Sequence, residues 1–273
     1  MQSLEPALNR RSFAGQLIGS AIVGTSLIGG ITSSAAQTPA APLPDGFPSH
    51  DPALAREVVG KSHFDLDTVK KLVEARPALA RVSWDWGFGD WETALGAASH
   101  VGRRDIAEVL IANGARPDIF TFTMFGQLDA VKAIIAANPG IQCTSGPHGI
   151  TLLAHAEAGG DAAKAVADYL ISLGDADSKA TNLPMDEAAH KALLGEYRVE
   201  GNANGACHII EQRNGNLAFR FDSPVGSGSA RPLMHQGNNV FHPSGTPKVR
   251  IAIEGDRMTI VDADVQLAAR RVK

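Results

Sequence analysis

Asp90 and Glu92 flank Trp91, His100 closes a short Ala-rich stretch, and His148 sits in a Gly-Pro-His-Gly run. These are the residue types that do chemistry. Imidazoles ligate metals and exchange protons near neutral pH, and carboxylates complement both roles. Gathered in one groove, two histidines and two carboxylates suit a protein partner, a polar ligand or a metal ion. Scattered over a surface they are solvated polar groups, which is the commoner arrangement. Spacing along the chain does not choose between these outcomes. His155 lies within an apolar helical pattern and reads as a hydrogen-bonded core residue.

Ready-made catalytic motifs are missing from the sequence. It contains no Cys-x-x-Cys, no His-Glu-x-x-His, no phosphate loop and no dinucleotide fingerprint. Nor does it contain the Ser-x-x-Lys or Gly-x-Ser-x-Gly of serine hydrolases. Cys143 and Cys207 are its two cysteines. They form either one disulfide or two separate thiols, and their positions in the chain leave both open. The formal net charge of −4 supplies no basic footprint for nucleic acid or an anionic membrane surface.

The elements that must carry these residues centre on Asp90 to Asp118. Thr93 to His100 is a small, Ala-rich helical pattern, Gly102 breaks it, and Asp105 to Asn113 places Ile106, Val109 and Leu110 on one stripe. Asp105 suits the first turn of that second helix and Gly114 a left-handed stop. Helices this short need like units stacked beside them. Thr93-Ala94-Leu95, Ala97-Ala98, Gly102, Leu110-Ile111 and Gly114-Ala115 resemble one ankyrin repeat, with Ala94 and Gly96 where proline and histidine are usual. Gly149-Ile150-Thr151-Leu152-Leu153, Ala156, Gly160, Leu170-Ile171 and Gly174 repeat the register. Shorter copies run through Gly126, Asp129 and Ile134-Ile135, and through Asp67, Leu72-Val73 and Pro77. The resemblance implies an α-solenoid of about four degenerate repeats over 53–178. In its register Asp90, Glu92, His100 and Val101 share a concave face with Pro147, His148, Ile150, Ala158 and Gly159. Trp84, Trp86 and Trp91 fall in a finger loop, as binding anchors or as packing.

Residues 1–36 read as a cleaved export signal. Asn9-Arg10-Arg11-Ser12-Phe13 precedes an uncharged Gly/Ser/Ala-rich run, and Ser34-Ala35-Ala36 offers a cleavage site. The paired arginines resemble a twin-arginine signal, though Ala14 stands where leucine is usual, which leaves the general secretory route open. This implies a periplasmic or extracellular protein with no stable membrane anchor after cleavage. Residues 37–52 read as a Pro/Ala-rich linker, and 179–194 as a linker with a short helix from Met185 to Leu194. Period-2 alternation then marks eight strands over 195–273, with turns at Asn214-Gly215 and Gly255-Asp256. That pattern predicts an antiparallel up-and-down β-barrel or curved sheet. LLGEYRVEG, NGNLAFRF, FHPSG and LAARRV resemble the small lipocalin-like domain that follows some bacterial serine hydrolases.

The expected fold is therefore α+β multidomain, an ankyrin solenoid followed by a small β-barrel. The leading functional expectation is an exported, non-enzymatic recognition protein. It binds a protein partner through Asp90, Trp91, Glu92, His100, Val101, His148 and Ile150, with no catalytic, cofactor or metal residue assigned. The alternatives are a metal-dependent ligand binder or enzyme using the groove's His, Asp and Glu groups, and a small-ligand carrier using the β-domain. Nucleic acid is not an expected partner.

Overall fold

In a computed structural model, residues 48–201, 205–223 and 226–272 are described. The expected export signal, and all of the linker before Pro48, lie outside them. Among the described residues no helix is long and apolar enough to cross a membrane.

The first half is helical. Four helix pairs follow one another: α1 (Pro52–Lys61) with α2 (Leu66–Ala75), α3 (Ala94–His100) with α4 (Arg104–Ala112), α5 (Ile119–Met124) with α6 (Leu128–Ala137), and α7 (Leu152–Ala158) with α8 (Lys164–Leu173). Local chemistry starts them. Asp51, Asp65, Thr93, Asp118 and Thr151 each accept a hydrogen bond from a backbone N–H of the first turn of the helix they cap. A short antiparallel hairpin, β1 (Ser83–Asp85) and β2 (Trp91–Thr93), projects between α2 and α3.

The ankyrin solenoid expected over 53–178 is not what the structure shows. The helix pairs begin at Pro52, Ala94, Ile119 and Leu152, so their spacings are 42, 25 and 33 residues rather than one period. Their apolar side chains form two clusters, one around α1 to α4 and one around α5 to α8. Small and polar residues sit between them, where Ser99 Oγ donates to Thr121 Oγ1 at 3.1 Å. Asp90 and Glu92, assigned to an open concave face, are buried instead. Close backbone approach explains part of the alanine and glycine content. Gly102 has φ +72°, and a Cβ there would fall 2.1 Å from the Ala158 carbonyl oxygen.

After helix α9 (Glu187–Leu193), capped by Asp186, the chain closes an eight-stranded antiparallel barrel. Its strands are β3 (Gly195–Val199), β4 (Ala206–Glu211), β5 (Leu217–Ser223), β7 (Arg231–His235), β8 (Val240–Pro243), β9 (Arg250–Glu254), β10 (Arg257–Asp262) and β11 (Val265–Arg271). A two-residue strand, β6 (Gly226–Ser227), pairs only with β5. Each barrel strand pairs with its neighbour in sequence, and β11 returns to β3, so no edge remains. The eight strands read from alternation all appear. Leu217 and Phe219 point inward as that alternation requires, with Tyr197, Phe241 and Ile251 filling the interior. At Asn214-Gly215 only the glycine is left-handed, at φ +80°. Cys207 is buried in the barrel and Cys143 is exposed, and both are free thiols.

The described residues of the helical region and of the barrel belong to one compact unit. At the seam, Ser244 Oγ donates to the His148 carbonyl oxygen at 2.5 Å. Gly149 and Gly245 approach so closely that a Cβ on either would meet the other's backbone nitrogen within 3 Å. The barrel thus lies against the turn that carries His148.

Candidate metal centre

Four side chains from four different elements meet beside that seam. His63 comes from the turn after α1, Glu92 from β2, His100 from the last residue of α3, and His148 from a 3-10 turn, Pro147–Gly149. One donor atom from each lies within 4.8 Å of all the others. The Nε2 atoms of His100 and His63 are 3.1 Å apart. Glu92 Oε1 is 2.9 Å from His100 Nε2 and 3.4 Å from His148 Nε2, and Oε2 is 3.5 Å from His63 Nε2. A tetrahedral ion bound at about 2.0–2.1 Å holds its ligand atoms roughly 3.3 Å apart, close to this spread.

Neighbouring groups set which nitrogens face inward. His63 Nδ1 lies 3.0 Å from the Gly60 carbonyl oxygen. A carbonyl only accepts, so Nδ1 carries the proton and the neutral ring presents a lone pair at Nε2. His148 Nδ1 lies 2.6 Å from Asp90 Oδ2, and Asp90 also takes the His148 backbone N–H and the Arg231 guanidinium. A carboxylate or carbonyl behind the imidazole, as at His63 and His148, is the usual support of a metal-binding histidine. Trp86 Nε1 donates to Glu92 Oε2 at 2.7 Å, leaving Oε1 for the cluster. Oε1 is buried and makes no hydrogen bond, although two imidazole nitrogens stand within reach. The Nε2 atoms of His100 and His63 meet hydrogen-bond geometry with one another, whereas Glu92 Oε1 is aligned on neither nearby imidazole nitrogen.

Without an ion, the cluster's charges lean on each other. Burial pushes the Glu92 carboxyl up, but His100 and His148 outweigh it and hold it down at about 2. Burial pushes His148 down, but Asp90 and Glu92 outweigh it and lift it to about 9. Asp90 is also held low, its burial offset by hydrogen bonds from His148 and by Arg231. For His63 burial wins, and its ring is held below the ordinary value.

Of the residues expected at a partner-binding groove, Glu92, His100 and His148 converge here and Asp90 stands directly behind His148. Asp90 and Glu92 are buried. Strand alternation turns Trp91 the other way, 63% exposed, and Val101 is likewise outside. Ile150 contributes through its backbone: its carbonyl accepts the Gly146 N–H and its own N–H donates to the Pro147 carbonyl, closing the turn that holds His148. Sequence reasoning missed three participants. His63 is 37 residues before His100, in the part of the chain with the faintest repeat pattern. Trp86 reads from the sequence as a binding anchor or as packing, not as a partner of Glu92, and Arg231 belongs to the barrel. His63 did carry one signal, a position just past a helix end where its ring can reach the Gly60 carbonyl. His155 is fully buried, with Nδ1 2.8 Å from the Thr151 carbonyl oxygen, as its helical position implied.

No protein-family model matches the chain, and no curated protein matches it in sequence.

Proposed function

We propose that this protein is a metalloprotein that holds one divalent transition-metal ion, of the zinc type, through His63, Glu92, His100 and His148. The convergence of three imidazole nitrogens and the unpartnered Glu92 Oε1 within 4.8 Å carries this reading. Three nitrogens and one carboxylate oxygen, in a four-coordinate arrangement, suit Zn²⁺ better than the oxygen-seeking Mg²⁺ or Ca²⁺. Four protein ligands close the coordination sphere, which is the pattern of a structural ion. Such an ion ties the α1 turn, the hairpin, α3 and the His148 turn together.

The recognition role expected from the sequence loses support, because its polar residues face each other rather than a partner. The export expectation stands apart from this and remains a proposal: the Arg10-Arg11 pair supports delivery outside the cytoplasm.

The test is metal content and affinity. After chelation and dialysis, the protein is expected to take up one Zn²⁺ per chain, and Co²⁺ in its place should give the strong visible bands of a tetrahedral site. His63→Gln and His100→Gln should each weaken binding by at least the ~10–100-fold typical of losing even an outer partner. Absence of stoichiometric uptake by the folded native chain overturns the reading.

One observation favours a second reading, in which the ion is catalytic. The His63 and His148 side chains are each about a quarter exposed, at 23% and 24%, so one edge of the cluster reaches solvent. Three histidines would then hold the ion and Glu92 would serve as the acid–base group. Glu92→Gln separates the two: loss of the metal marks a ligand, and retained metal marks a base.

A further inference from the structure

A pocket of about 460 Å³ lies where the hairpin tip meets the mouth of the barrel. Trp84 and Trp86 of the hairpin form its roof. Phe219 and Phe221 on β5 face Ile260 and Leu267 on β10 and β11 across the barrel beneath them. The rest of the lumen is filled by its own side chains. The volume falls within the roughly 300–1,000 Å³ range of small-molecule sites.

The roof is held away from the hollow, not collapsed into it. Gly87, Phe88 and Gly89 are all left-handed, at φ +107°, +60° and +73°. Phe88 is the costly one, because a non-glycine residue stays in that region only where its surroundings enforce it. Its ring packs 5.6 Å from that of Phe219. Arg231 Nη1 donates to the Gly87 carbonyl oxygen at 3.3 Å, and Trp86 is anchored on Glu92. A strained turn pinned by a buried arginine and an anchored indole is a prepared wall.

The lining also indicates what fits. Flat aromatic walls favour a planar, apolar molecule. The charged groups at the edge are Arg56 and Arg231 against Asp85 and Asp262, two of each sign. Arg231 is committed to Asp90, and the Arg56 guanidinium lies 6.0 Å from the Trp84 ring centre. With Arg231 paired to Asp90, Arg56 stands beside Asp85 and Asp262, so nothing in the lining attracts an anion. We infer that the hairpin-roofed barrel mouth binds a small, uncharged, aromatic molecule. This does not depend on the metal reading, since the pocket walls exist without an ion.

The test pairs N-phenyl-1-naphthylamine, which is uncharged, with 8-anilino-1-naphthalenesulfonate, which adds a sulfonate to the same skeleton. Probe fluorescence and quenching of Trp84 and Trp86 are followed with chelator present and again with Zn²⁺ present. The neutral probe is expected to bind 1:1 in both conditions, at least about tenfold more tightly than the sulfonate. Val265→Trp, at the exposed edge of the pocket, should weaken the neutral probe by a similar factor at an unchanged thermal midpoint. Ser229→Trp fills the pocket from another loop if the first variant is destabilised. No saturable binding to the native protein, equal binding of both probes, or undiminished binding to a folded filled variant overturns the inference. Binding without zinc uptake would sink the metal reading and leave this one standing.

Discussion

His155 shows at the residue scale what enclosure does to a titratable group. Its ring is fully buried, one nitrogen is held by the Thr151 carbonyl and Nε2 has no partner. Burial holds its pKa at about 4, against 6.5 for a free histidine. Below pH 6.5 the unfolded chain therefore takes up a proton that the folded chain refuses. Stability from this group is complete above pH 6.5 and is lost as the pH falls toward 4. The slope is at most about 1.4 kcal/mol per pH unit. His63 adds in the same direction, whereas His148, with its raised pKa, loses nothing in this window. Urea midpoints of the native protein at pH 6, 5.5 and 5 should fall accordingly. In His155→Leu that fall should be visibly shallower. An identical slope in the two proteins would mean that His155 titrates normally.

Among the elements, α3 and α4 do the positioning. Thr93 starts α3 by accepting the Gly96 N–H at 2.8 Å, and the helix ends on His100, so its seven residues deliver that ring to the cluster. Ala94, Ala97 and Ala98 are fully buried, and their small size lets α1 and α5 pack close on either side. Helix α4 backs this arrangement with Ile106 and Leu110, both fully buried. Leu110→Ala should cost ~2–5 kcal/mol from lost burial and residual cavity. Denaturant unfolding reads that directly. A midpoint within error of the native value would place Leu110 outside the core.

For the whole molecule, Arg231 is the barrel side chain that braces the Asp90–His148 pair of the proposed metal centre. Arg231 and Asp90 pair at 2.6 Å with both side chains 5% exposed, and Asp90 in turn orients His148. Replacing one partner of a buried pair strands the other charge, at a cost of about 3–5 kcal/mol. Arg231→Met should therefore lower stability on that scale and weaken metal binding, while Arg231→Met with Asp90→Asn should recover part of the stability. Because the helices and barrel form one compact unit, far-ultraviolet circular dichroism and tryptophan fluorescence should report one coincident transition in the native protein. Separate transitions would show that the seam carries little energy.

The sequence by itself determined the local structure. Alternation in Leu217–Phe221 and Val249–Ile253 requires strands with one buried face, and capping residues such as Thr93 and Asp118 place helix starts, because both signals act between residues close in the chain. It also marked Asp90, Glu92, His100 and His148 as the polar residues of interest. Their arrangement was decided only by tertiary structure. Whether Glu92 faces a solvent groove or three imidazoles depends on His63, 29 residues earlier, and on a barrel arginine 139 residues later. No spacing rule connects residues so far apart. The uneven helix pairs likewise follow a repeat-like pattern locally, while packing divides their core in two and sets the barrel against the face that the pattern left open.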